Sequence, residues 1–168
     1  VYKDGTKVRN LIVLDSLIVD DTANFTTRWI GWNPEDVHAK GAVKNTAKYT
    51  GPKSVVLNSE TKEQDIMGNG SFSKLRIDNA KGGNVKQGGG FKVEETLELK
   101  SGALRNDILN NFVVGDTAEI IRHTGSSLSA EPKFEGKADV TYLGNGAMVT
   151  GGEIPTDKNT LRKLKVQN

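Results

Sequence analysis

Three stretches decide the fold: "LRKLKVQN" (161–168), "VRNLIVLD" (8–15) and "FSKLRIDN" (72–79). Each opens on an apolar residue, Leu161, Val8 or Phe72. Three positions later comes Leu164, Leu11 or Leu75, five positions later Val166, Val13 or Ile77, and Asn or Asp closes the phrase. The alternation Leu-x-Val/Ile has the period of two of a half-buried β-strand, and a closing Asn or Asp suits a turn.

Two further phrases return. "LIVDDTANF" (17–25) comes back as "FVVGDTAEI" (112–120), and "KYTGPKSVVL" (48–57) as "KFEGKADVTY" (133–142). With the opening phrase as A and these as B and C, the order along the chain is A, B, C, A, B, C, A. The period exposes about two imperfect repeats, about 8–71 and 72–160, with the start of a third at 161–168. The second A-to-B interval carries an added stretch, 80–110, and repeat architectures tolerate such insertions because each unit contacts mainly its neighbours.

The added stretch also reads as strand. Glycine pairs and triplets at 82–83 and 88–90 mark corners, and Phe91, Val93, Leu97 and Leu99 alternate with Lys and Glu before a further corner at Ser101 and Gly102. An amphipathic helix over 93–112 is the rival, but Gly102 in its middle would cost roughly 1 kcal/mol. Short strands between Gly, Asn, Asp and Ser corners, with 6% aromatic residues, predict an all-β fold. The expected architecture is a parallel β-helix or related β-solenoid, a single module over 1–168, with a β-sandwich as the alternative.

Composition narrows the function. Lys plus Arg (23) nearly balances Asp plus Glu (21), and the basic residues are dispersed, so a nucleic-acid partner is not expected. Without cysteine there is no disulfide, thiolate metal site or Cys nucleophile. The longest apolar segment, 11–19, is interrupted by Asp15 and Ser16 and is far short of the roughly 18 residues of a membrane helix. The chain opens on Val1 rather than Met, and a processed chain or a piece of a longer one is expected.

The run 115–168 resembles the repeat units of very large secreted bacterial cell-surface proteins, adhesin-like or surface-layer-like parallel β-helices. Their phrases R-T-G-S-L, P-x-F, V-x-Y-x-G, T-G-x-E-I/L-P and L-x-x-L-x-V-x-N have counterparts here at 122–128, 132–134, 140–144, 150–155 and 161–168. A further strand phrase is matched loosely at 93–104, with Glu94 and Glu95 where small turn residues would stand. The segment 26–47 departs from the pattern. The resemblance implies an extracellular or cell-surface location, a right-handed solenoid and a role in adhesion, coating or filament and surface-layer building, and it implies no catalytic residues.

Candidate chemistry is sparse, and the chain is not expected to be an enzyme. Asp21 and Asp116 return at the same offset of phrase B, which reads as corner chemistry rather than paired general acid and base. His38 and His123 stand in no nucleophile or zinc spacing, and Glu35, Asp36 and His38 read as a solvated loop rather than a metal site. No cofactor is expected. Calcium is the metal that corner oxygens would favour, but the GGxGxD nonapeptide is absent and no metal residue is assigned. Asn24 and Asn69 begin glycosylation sequons.

Trp29 and Trp32 fall in the segment that breaks the repeat, either as a ligand or subunit contact or as a loop folded over an end of the solenoid. The sequence shows no polar cap after the last A phrase. We therefore expect Leu161, Leu164 and Val166, with Val8, Leu11 and Val13, to contact neighbouring turns of the same polypeptide or like subunits. The expected function is that of a structural module acting by strand stacking. The alternative is a carbohydrate-binding or carbohydrate-cleaving β-helix with a polysaccharide partner at 29–38, and a soluble adhesin domain is a third reading.

Overall fold

The computed structural model describes residues 10–20, 36–49, 53–85, 90–106 and 112–167. Over these the chain forms 16 strands in parallel pairs and no helix, wound as a β-solenoid. The first turn holds β1 (Asn10–Val13) and β2 (Leu17–Val19), and the second holds β3 (Asp36–Ala39), β4 (Val43–Asn45) and β5 (Lys48–Tyr49). β6 (Val55–Leu57) and β7 (Gln64–Met67) lead into β8 (Ser71–Asp78), β9 (Gly83–Val85) and the long β10 (Lys92–Arg105). Then come β11 (Val113–Val114), β12 (Glu119–His123), β13 (Ser126–Leu128), β14 (Lys133–Phe134), β15 (Ala138–Leu143) and β16 (Leu161–Gln167).

Three faces result. On the first, β1, β3, β6, β8, β10, β12, β15 and β16 lie side by side, and on the second β2, β4, β7 and β9 lead to the far half of β10 and then β13. The third stacks β5, the starts of β8 and β10, β11 and β14. β8 and β10 are long because they run through corners, where the register of β10 on β8 shifts after Val93 and after Leu99.

Period-two alternation becomes a core because the strands stack in register. One inward row of the first face runs Val37, Val55, Leu75, Leu97, Ile120, Val140, Leu164, with Leu11 in backbone register opposite Val37. The other runs Val13, Ala39, Leu57, Ile77, Leu99, Arg122, Tyr142, Val166. From Val37 to Val140 the first row is buried throughout. At the third corner Phe91 stacks on Phe112 with ring centroids 5.0 Å apart, and Phe72 meets Phe91 edge-on at 5.8 Å.

Corners are held by buried amides. The Asn79 side chain donates to Lys62 O (3.0 Å) and Gln64 Oε1 (3.0 Å) and accepts from Lys81 N (2.9 Å). Asn45 donates to Ser71 O (2.9 Å) and accepts from Ala47 N (3.0 Å). These bonds satisfy backbone groups that a bend takes out of the ladder. On the next turn Gly102 (φ 78°) and Gly68 (φ 96°) pass so close that a Cβ would lie 1.7 Å from Asn79 O and 2.0 Å from Asn45 O. Only glycine fits both the left-handed backbone and the contact.

The strand reading of 92–105 stands and the helix rival fails there, while 107–111 lie outside the described residues. The three A phrases occupy equivalent strands of the first face, and the C phrases align too, Lys48 and Tyr49 in one stack with Lys133 and Phe134. Phrase B is corrected: Val19 lies on the second face and Val114 on the third. Asp116 and Thr117 of the second B phrase form a turn, while 21–25 of the first lie outside the described residues.

Candidate functional site

β16 pairs with β15 alone among the described strands, so its far edge carries unpaired backbone groups. Its inward residues extend both core rows, yet Leu164 is 53% and Val166 61% exposed, against full burial for Val140. Lys163 and Lys165 alternate with them on the outer side, paired in register with Asp139 and Thr141. A register irregularity after Ala138 accommodates Arg162, whose guanidinium donates to both Asp139 carboxylate oxygens (2.7 and 2.9 Å). That pairing holds the Asp139 carboxyl below the usual carboxylate range.

Of the residues singled out from the sequence, Leu161, Leu164 and Val166 lie on β16, while Leu11 and Val13 lie on β1. Leu161 is half-buried opposite Ala138, and Val13 packs against the core cluster. β1 and β16 stand at opposite ends of the first face, with β3, β6, β8, β10, β12 and β15 between them. Within one chain the two groups do not meet. Val8, Trp29 and Trp32 lie outside the described residues.

Ahead of β16 a buried polar hub interrupts the second inward row. Where the second inward row reaches β12 and β15, Arg122 and Tyr142 replace the aliphatic side chains, and both are buried with Glu153. The Arg122 guanidinium donates to Glu153 Oε1, to Ser126 O (2.9 Å) and to Val149 O (2.8 Å). Tyr142 Oη and Gly151 N also donate to Glu153 Oε1, at 2.7 and 2.9 Å. Burial opposes ionisation of Glu153, but the Tyr142 hydroxyl, the Gly151 amide and Arg122 together hold its carboxyl below the ordinary range. Burial, followed by the Glu153 carboxylate, raises the Tyr142 phenol above its usual value.

The signal for this hub was in the sequence. The stretches 122–128, 140–144 and 150–155, read as strand and turn phrases, each deliver one member. Arg122 stands two residues after Ile120, where alternation calls for an apolar side chain.

On the outer side of the first face a charged ladder crosses the turns. Arg76 reaches Asp36 Oδ2 (3.0 Å) and Glu98 Oε2 (2.5 Å), and Glu98 Oε1 meets His123 Nε2 (2.9 Å). Arg76 lies beside Val56, which is buried although it occupies an outward position. Against burial, the Glu98 and Asp36 carboxylates hold the Arg76 guanidinium above its ordinary value. The Asp36 and Glu98 carboxylates are thus engaged in cross-turn ion pairs.

Of the metal candidates, Asp36 also accepts from Ser54 N (3.1 Å), His38 Nδ1 contacts Asn58 Nδ2 (2.8 Å), and Glu35 lies outside the described residues. Among the described residues no three His, Asp or Glu side chains are grouped as metal ligands. Asp116 is exposed and caps a corner, accepting from Lys137 N (2.9 Å). No protein-family model, curated protein or solved structure matches this chain.

Proposed function

We propose that the chain is a non-catalytic structural module that joins like units by strand stacking along the first face, whether those units are further turns of one polypeptide or separate copies. The observation that supports this reading is the state of β16. It continues both inward rows in register, and its Leu164 and Val166 are exposed where the same row is buried through the preceding turns. A further parallel strand would bury both side chains and pair the free backbone edge. The cell-surface setting, in a filament, sheath, surface layer or adhesin stalk, rests on the resemblance of the repeat phrases. The carbohydrate alternative rested on the segment 29–38, and no observation favours it.

Sedimentation velocity over a concentration series tests the reading on the chain itself and on Leu164→Lys/Val166→Lys. We expect concentration-dependent association of the native chain and its loss in the variant, with an unchanged far-ultraviolet spectrum. A native chain that stays monomeric throughout, or a variant that associates equally well, would refute stacking through β16.

A further inference from the structure

Between β15 and β16 the chain runs through residues 144–160 without forming a strand, although it completes a turn of the solenoid. Of its side chains only Glu153 and Pro155 are buried, and Val149 is 85% exposed. A segment with so little apolar burial is weakly held by packing. Its ends are tied by backbone bonds, Gly144 N to Gln167 O (3.1 Å) and Ala138 N to Thr160 O (2.9 Å), but between them the one backbone bond to the turn beneath is Gly152 N to Leu128 O at 3.2 Å, and Ile154 N to Gly151 O and Thr160 N to Asp157 O are internal. A Cβ on Gly152 would lie 2.2 Å from Ala130 C, so the segment rests directly on the backbone that leaves β13.

The remaining attachments are polar and converge. Arg122 grips the segment twice, through Val149 O and Glu153, and Tyr142 donates to the same carboxylate oxygen. Thr156 N adds a bond to the exposed side of the turn at Glu131 Oε1 (2.9 Å). Glu153 Oε2 is buried with no hydrogen-bond partner, so the carboxylate is held through Oε1 alone.

We infer that residues 144–160 form a strap that opens as a unit, latched to β12 and β15 by the Glu153 carboxylate, while the turns beneath stay folded. Removing one member of a buried, hydrogen-bonded ion pair leaves the other charge uncompensated, and that penalty falls on the segment least able to bear it. Opening uncovers Leu128 O and the backbone after β13, which frees the end of the second face. Use of that freed edge by another strand rests on the stacking reading; the opening of the strap does not.

Native-state hydrogen exchange with mass spectrometric readout on the full chain tests the latch. In the native chain the strap amides should exchange through an opening cheaper than global unfolding, with little dependence on denaturant. Glu153→Gln should accelerate exchange over 149–156 by at least about a hundredfold and leave β8, β10 and β12 unchanged. Tyr142→Phe, which removes one bond and keeps the ion pair, should accelerate the same amides by less, and it serves if Glu153→Gln does not fold. Strap amides that exchange only with the whole molecule, or variants that accelerate every strand alike or leave the strap unaltered, would overturn the latch. Sedimentation of the same samples reads stacking separately, so a monomeric protein with a selectively opening strap would sink the assembly reading alone.

Discussion

Leu97 and Leu164 occupy the same inward row of the same face, one in its middle and one on β16, and truncating each to Ala measures what that difference in position is worth. Leu97 is fully buried between Leu75 and Ile120, whereas Leu164 is 53% exposed beside Val140. Removing three carbons at ~0.8 kcal/mol each gives about 2.4 kcal/mol of lost transfer energy at Leu97, and the closed cavity raises the total to about 3–4 kcal/mol. At Leu164 about half the transfer remains and no closed cavity forms, so about 1 kcal/mol is expected. For a chain of this length, Tm should fall on the order of 10 °C for Leu97→Ala and about 2–4 °C for Leu164→Ala. Urea unfolding and calorimetry at low protein concentration, where association is absent, provide the comparison. Equal losses at the two positions would refute the reasoning, because they would mean that the row is as well covered at β16 as in its middle.

Two glycines with left-handed backbones should respond differently to Ala. Gly102→Ala meets Asn79 O and should lose at least about 2 kcal/mol, whereas Gly125 (φ 84°) has nothing within 4 Å of a Cβ and should lose about 1 kcal/mol; urea midpoints decide. Acid should weaken the fold with a defined sign. The Glu153, Asp78 and Asp139 carboxyls are held below their ordinary values, so their stabilisation is complete above the unfolded carboxylate range and is lost as pH falls through the folded values. Stability should be flat down to about pH 5 and decline below about pH 4, and an acid titration that showed maximal stability at pH 3 would contradict it. Arg76→Lys keeps the charge but not the planar fork between Asp36 and Glu98. A double-mutant cycle with Glu98→Gln should therefore report a coupling of about 0.5–1 kcal/mol for Arg76, discounted for partial exposure, and less for Lys.

The solenoid was legible because its signal is local. Each Leu-x-Val/Ile alternation names a strand, and Gly102 or Asn79 names the corner where it stops. The turn is shorter than the period that the eye finds: between Leu11 and Leu75 stand Val37 and Val55, whose strands Asp36–Ala39 and Val55–Leu57 have the right alternation but no shared wording. Core rows require only apolar volume, so Val, Ile, Leu and Ala interchange and the likeness between neighbouring turns fades. Phrase B failed for a related reason, since the short apolar runs Leu17–Val19 and Phe112–Val114 suit any face of the solenoid.

The hub was hidden by distance. Arg122 and Glu153 are 31 residues apart, and each belongs to a phrase that looks sufficient as strand or turn. An Arg in an inward position is a local conflict that only the folded chain resolves, by bringing a carboxylate from the strap and a phenol from β15 to it. The edge of β16 was anticipated from the phrase itself, whereas the exposure of Leu164 and Val166 relative to the rest of their rows needed the stacking register.

Electron microscopy of the isolated chain at high concentration tests stacking most directly, because the geometry fixes a length. The first face carries eight strands, and at a spacing of ~4.8 Å head-to-tail stacking predicts rods with a subunit rise of roughly 38 Å. Rods with that rise, absent for Leu164→Lys/Val166→Lys, are the predicted result. Isolated particles at every concentration, or assemblies that the double substitution leaves unchanged, would contradict it.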